Sequence, residues 1–192
     1  LDKINSMENL IRIIEGWDYS TVDNRCFENE GCIVDLGCRG WDWSKIFIGK
    51  KRVIGVDPFE KQIPNTEFFK GIIDTYDGQT KLLDVGFGTN SKFNSSGEIV
   101  EVKTWNTFIK EYNIDKIAVL KLNIEGTEYD IIDNFNDNDF NNIDQIAVSF
   151  HENIVPELKG RTEKTLKLLE SKNYKIIKIN EAWNWYLAIK NK

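Results

Sequence analysis

The apolar positions of this chain fall into short runs that end on an acid, and one pair of runs organises the rest. Cys32, Ile33 and Val34 lead into Asp35; after a glycine turn and a short helical pattern at 44–48, Val53, Ile54, Gly55 and Val56 lead into Asp57. This order predicts strand, turn, helix, strand. A third run, Glu67 through Ile73, reads as one strand ending at Asp74. Further on, Ile117 to Leu122 is a continuous apolar stretch broken only by Lys121, and residues 144–150 form a fifth run followed at once by His151 and Glu152.

The intervening segments complete an α/β alternation. Leu10, Ile11, Ile13 and Ile14 among charges predict an amphipathic helix over residues 1–16, and residues 17–30 read as an irregular connection from which Trp17 and Tyr19 reach toward the site. Residues 81–85 read as a strand, 86–97 as a flexible polar stretch and 99–102 as another strand. Trp105, Phe108, Ile109 and Tyr112 lie at helical spacing, and Gly126 turns the chain into a helix carrying Tyr129, Ile131 and Ile132. A helix over 162–172 precedes two strands, 174–179 and 184–189, joined by a short turn. Two strands so joined are antiparallel neighbours, which puts an antiparallel strand at the edge of an otherwise parallel sheet. The expected architecture is one α/β domain spanning 1–192: an N-terminal helical or loop extension to residue 30, then a core of mostly parallel sheet flanked by helices.

Composition narrows the partners. The chain has 192 residues, 41% hydrophobic and 12% aromatic, with a net charge of −6. An acidic protein lacks the basic footprint of a nucleic-acid binder. No run approaches the ~20 apolar residues of a membrane helix, and no charged-then-apolar leader opens the chain. It starts at Leu1, as a trimmed chain or a fragment does. Cys26, Cys32 and Cys38 are odd in number, without a C-x-x-C pair or a nearby histidine, so neither zinc nor a disulfide framework is expected and a reducing cytoplasm fits. Oligomeric state is left open.

The acids carry the chemistry. Ligands of open parallel sheets sit outside the carboxyl ends of the strands, where an acid about 20 residues past the first glycine holds a ribose; Asp57 follows Gly37 by twenty residues. A dinucleotide turn wants G-x-G-x-x-G, but counted from Gly37 its second and third glycine positions hold Arg39 and Asp42. Arg39 suits a phosphate; Asp35 and Asp42 oppose one. They suit S-adenosylmethionine, whose sulfonium and ammonium are cationic. Asp74 stands either at an adenine amino group or as a plain loop acid. Asn123 and Glu125 follow the central strand and form a candidate catalytic group, with Glu128 more simply a first-turn acid facing the helix dipole. His151, the only histidine, stands at the edge of this group, as a substrate contact or a structural residue.

These stretches together resemble the FkbM family of S-adenosylmethionine-dependent methyltransferases, within the Rossmann-like class I enzymes. The likeness is carried by VDLGCRG at 34–40, GVDPFE at 55–60, GIIDTYDG at 71–78, KLNIEGTEYDII at 121–132 and the terminal hairpin, about residues 31–190 in all. It implies methyl transfer to a hydroxyl of a sugar or other small-molecule or glycan acceptor; the charge and the apolar runs name neither nucleic acid nor membrane as partner, no metal ligand is assigned, and any divalent-ion requirement is left open. It also implies a cofactor site in which Asp35 and Gly37, with Arg39 and Gly40 in the same turn, hold the methionine end, Asp57 the ribose, and Ile73 and Asp74 the adenine. Glu125 and His151 would serve the acceptor hydroxyl as base, with Asn123 orienting the acceptor or the cofactor. Three positions depart from the family pattern: Trp41 follows an early Gly40 where a glycine is usual, Asn123 stands for an aspartate, and Trp105–Asn106 for Leu-Asp. The lost carboxylates motivate a rival, a non-catalytic binding module; a nicotinamide oxidoreductase is a third reading, against which the missing glycines count.

Overall fold

A computed structural model describes residues 9–16, 18–83 and 97–191. Its first element corrects the predicted helix: Leu10–Glu15 is a strand, β1, paired antiparallel with β2 (Asp18–Asp23), which replaces the expected irregular connection. The spacing of Leu10, Ile11, Ile13 and Ile14 suits a helix face, but three β-branched isoleucines in five positions favour extended backbone, as do Tyr19, Thr21 and Val22 opposite them. Gly16, at φ +58°, supplies the left-handed backbone that begins the turn. A 3-10 turn at Asn24–Phe27 follows, capped by the Asp23 carboxylate. Residues 1–8 and Trp17, also covered by those two expectations, lie outside the described residues.

Among the described residues the central sheet has seven strands. β3 (Cys32–Leu36), β4 (Val53–Val56), β5 (Glu67–Phe69), β9 (Ile117–Leu122) and β10 (Gln145–Ser149) run parallel. The hairpin β11 (Tyr174–Asn180) and β12 (Trp185–Lys190) closes one side, with β12 antiparallel to both β10 and β11. The spatial order is β11-β12-β10-β9-β3-β4-β5, so the antiparallel strand lies one in from the edge. The predicted third strand is divided at Lys70. Its first half is β5, and its second half, β6 (Gly71–Asp74), joins β8 (Glu98–Thr104) and β7 (Gly78–Leu82) in a separate three-stranded sheet. A Cβ on Gly71 would stand 2.4 Å from the Phe69 ring, so the chain folds back on itself tightly where it leaves the main sheet. β7 begins three residues before the predicted 81–85 run; Asp84, Val85 and the polar stretch through residue 96 lie outside the described residues.

Each central strand is buried on both faces, and successive side chains serve two separate cores. Val34, Leu36, Ile54, Val56, Leu120, Leu122, Ile146 and Val148 face the helices: α1 (Trp105–Glu111), α2 (Glu128–Asp133), α3 (Asp137–Asn142) and α4 (Arg161–Ser171). Ile33, Val53, Val119, Ala147, Trp185 and Leu187 face the β1–β2 hairpin and the segment that crosses from β3 to β4. That crossover is made only of 3-10 turns at Arg39–Trp41 and Ser44–Ile46. Helices therefore cover one face and a hairpin the other, where the sequence predicts helices flanking the sheet. Large aromatics fill the hairpin side: Trp41, Trp43 and Phe47 are fully buried, and Trp43 Nε1 donates to Ser20 Oγ at 2.8 Å. Gln145, on β10, exchanges two hydrogen bonds with the Asp23 backbone (2.8 and 2.9 Å), and the Trp185 indole donates to Asp18. The hairpin is thus part of the core.

Candidate functional site

The carboxyl ends of the parallel strands are joined one residue beyond the ladder. Gly37 and Cys38 N–H both donate to Val56 O, Asn123 N–H to Leu36 O, and Asp57 N–H to Phe69 O. Gly37 is forced to be glycine twice over: its φ is +83°, and a Cβ would stand 2.1 Å from the Asn123 carbonyl oxygen. The sequence-predicted residues Gly37, Asp57 and Asn123 are thereby brought to adjoining strand ends.

Beneath the glycine turn lies a buried ionic cluster. Asp35, fully buried, accepts from Ser44 Oγ and lies 3.0 Å from Lys121 Nζ. Lys121, also fully buried, donates to Gly37 O and to Glu15 Oε1, each at 2.7 Å. Burial alone would push the Lys121 amine down, but Asp35 and Glu15 outweigh it and hold the amine above its ordinary value. Asp35 acts here on the underside of the turn, through Lys121 and Ser44.

Above it, Asp57 Oδ1 accepts the amides of Phe59 (2.8 Å) and Glu60 (3.0 Å), which fixes the carboxylate at the end of β4. Burial raises its pKa, opposed by those amides and by the Arg39 guanidinium. The Gly40 N–H donates to Glu60 Oε2 at 2.7 Å. A side-chain carboxylate thus occupies an amide of the turn that a pyrophosphate would need. Trp41, at φ +58°, is buried against Gly55, where a Cβ would meet its ring at 2.3 Å.

On the β9–β10 side three ionisable groups converge. Glu128, in the first turn of α2 as predicted, is wholly buried and accepts the amides of Ile124 (3.2 Å) and Gly126 (2.8 Å). Its Oε1 stands 2.5 Å from His151 Nδ1, while His151 Nε2 faces Glu125 Oε2 at 3.6 Å. Burial, which would depress the imidazole, is outweighed by Glu128 and Glu125, so His151 titrates above 6.5. Burial raises Glu125 above 4.5, against the pull of His151. Glu125 adopts φ +59°, a conformation costly for a residue with a Cβ. The next residue, Glu152, accepts Thr162 N–H at the start of α4, which anchors the backbone after His151.

Other expected contributors lie on neighbouring elements. Ile73 is buried in the helix-side core on β6, and Asp74 accepts Thr75 N–H at 2.7 Å; β6 packs beside β4. Tyr19 donates to Ile179 O on β11 and carries Arg12 over its ring. Trp105 is buried and donates to Asp139, while Asn106 is exposed.

Residues 48–176 match the family described as the methyltransferase FkbM domain. The chain belongs to the FkbM methyltransferase family. A solved structure, methyltransferase FkbM from Methylobacillus flagellatus KT, is similar with a TM-score of 0.49 and 14% identity, covering 83% of this chain. The chain spans 43% of that protein's length. No curated protein matches it.

Within this FkbM chain the site holds residues that the sequence reading missed. Lys121 sits in the recognised strand motif, and a lysine between buried leucines signals an internal ion pair. Glu128 carries the histidine as well as capping loop amides. Glu15 and Glu60 had no local signal, since each meets its partner only through the fold. Among the described residues no helix is long and apolar enough to cross a membrane.

Proposed function

We propose that this chain is an S-adenosylmethionine-dependent methyltransferase with a Rossmann-like class I fold, acting on a hydroxyl of a sugar or other small-molecule or glycan acceptor. The observation that carries the reading is the Glu128–His151–Glu125 arrangement at the ends of β9 and β10, beside the glycine turn. The strand order, with its antiparallel strand one in from the edge, supports the fold assignment.

The residues suit the cofactor. Asp57 presents a fixed carboxylate of the kind that binds two ribose hydroxyls, and Glu60 at the Gly40 amide disfavours a phosphate and tolerates a cation. Gly37, Arg39 and Gly40 line the turn for the methionine end, and Ile73 and Asp74 the adenine side. When bound, the cofactor supplies an activated methyl group whose departure leaves a neutral thioether. The chain's own task is to align the acceptor oxygen and receive its proton.

Glu125 is the better placed base. Its side chain is 33% exposed against 8% for His151, so it is the member of the pair an acceptor can reach. His151, beside Glu128 at Nδ1, presents Nε2 to Glu125 at 3.6 Å, where its charge favours the Glu125 carboxylate. Asn123 orients the acceptor. The free, buried cysteines support a reducing, cytoplasmic setting.

Incubation with methyl-labelled S-adenosylmethionine and a panel of glycosides and hydroxylated small molecules tests this. Label should pass to an acceptor oxygen, with S-adenosylhomocysteine released in equal amount, and Glu125→Gln should lower the rate about 10²–10⁴-fold. Cofactor binding without transfer to any acceptor would contradict the catalytic reading.

A further inference from the structure

The Lys121 ammonium has three protons and three oxygen partners, and one partner comes from outside the sheet. Gly37 O and Asp35 belong to β3 and its turn; Glu15 is the last residue of β1, 106 positions away in sequence. We infer that Glu15 is a positioning residue for the cofactor: by accepting one Lys121 N–H it aims the others at Gly37 O and Asp35, and so fixes the glycine turn from below. The inference rests on the cofactor reading above.

The geometry explains why the third partner matters. Lys121 is enclosed, and a buried N–H that loses its acceptor draws the amine toward the oxygens that remain. Asp35 is the stronger attractor, being ionic. Without Glu15 the amine shifts toward Asp35 and slackens its bond to Gly37 O, the neutral acceptor. Gly37 has no side chain to hold it; its N–H donates to Val56 O at 2.8 Å, and Lys121 Nζ is the side-chain group on its carbonyl oxygen. Glu15 also ends the strand whose hairpin covers that face of the sheet, so docking of the hairpin and shape of the turn are linked through one amine.

The test is calorimetric titration of the full chain with S-adenosylhomocysteine. Glu15→Ala should weaken binding about tenfold or more, and Glu15→Gln, which keeps an acceptor oxygen without the charge, should restore most of it. Asp18→Ala is the control: it loosens the same hairpin through its bonds to Trp185 and Asn180, and should lower thermal stability with affinity unchanged. Wild-type affinity in Glu15→Ala, or an equal loss in Asp18→Ala, overturns the inference and leaves the cofactor reading standing. Absence of binding by the wild type overturns both.

Discussion

His151 Nδ1 stands 2.5 Å from Glu128 Oε1, and neither side chain is appreciably exposed. Burial is the largest influence on the imidazole and would lower its pKa, but Glu128 and Glu125 reverse the balance and raise it above 6.5. A folded pKa above the unfolded one stabilises the fold fully below the unfolded value, and that contribution is lost as pH rises through the folded value. The stability gap between the wild type and His151→Gln in urea should therefore narrow as pH rises from about 5.5 to 9. A gap independent of pH contradicts the pairing.

Lys121→Met leaves Asp35 and Glu15 buried without their cation. Removing one partner of a buried ion pair costs about 3–5 kcal/mol, so this variant should lose that much at neutral pH by denaturant unfolding. Burial already raises the Glu15 pKa against the pull of Lys121, and with Lys121 gone the remaining acids relax by taking up protons. The deficit should shrink as pH falls; a deficit that grows toward acid pH would count against the cluster.

Gly37→Ala meets both a left-handed backbone and the Asn123 carbonyl oxygen. The backbone alone costs about 1–2 kcal/mol, and the contact adds to it. Chemical unfolding should show a loss beyond that range. A near-neutral substitution would mean that the turn adopts another conformation.

The N-terminal hairpin makes a contrast that a helix would not. Ile13 is 3% exposed and Ile14 65% exposed, as alternation in a strand requires. Ile13→Ala should cost about 2–5 kcal/mol and Ile14→Ala about 0.5 kcal/mol or less. Comparable losses at the two positions would fit a helical stripe instead.

The elements that were legible in the sequence are those whose pattern has one interpretation. Apolar runs ending at Asp35 and Asp57, the Lys121 strand and the antiparallel terminal hairpin all reappear with boundaries shifted by a residue or two. Residues 10–15 misled because apolar pairs at 10, 11 and 13, 14 suit a helix, while the choice of strand is made by pairing with β2. The division at Lys70 was hidden because both halves are apolar and extended; only their membership of different sheets separates them. In the site, His151 and Glu125 were legible as chemical types at strand ends. Their mutual distance, the second role of Glu128 and the arrival of Glu15 at Lys121 depend on tertiary contacts that no local window contains.

If the strand ends at Gly37 and Asp57 hold a sulfonium nucleoside cofactor, thermal unfolding with and without S-adenosylhomocysteine shows it. At about 100 times its dissociation constant the ligand should add about 2.7 kcal/mol of stability, visible as a rise in melting temperature that NAD and ATP do not produce and that Asp57→Ala abolishes. No shift with S-adenosylhomocysteine, or an equal shift with NAD, would contradict the account.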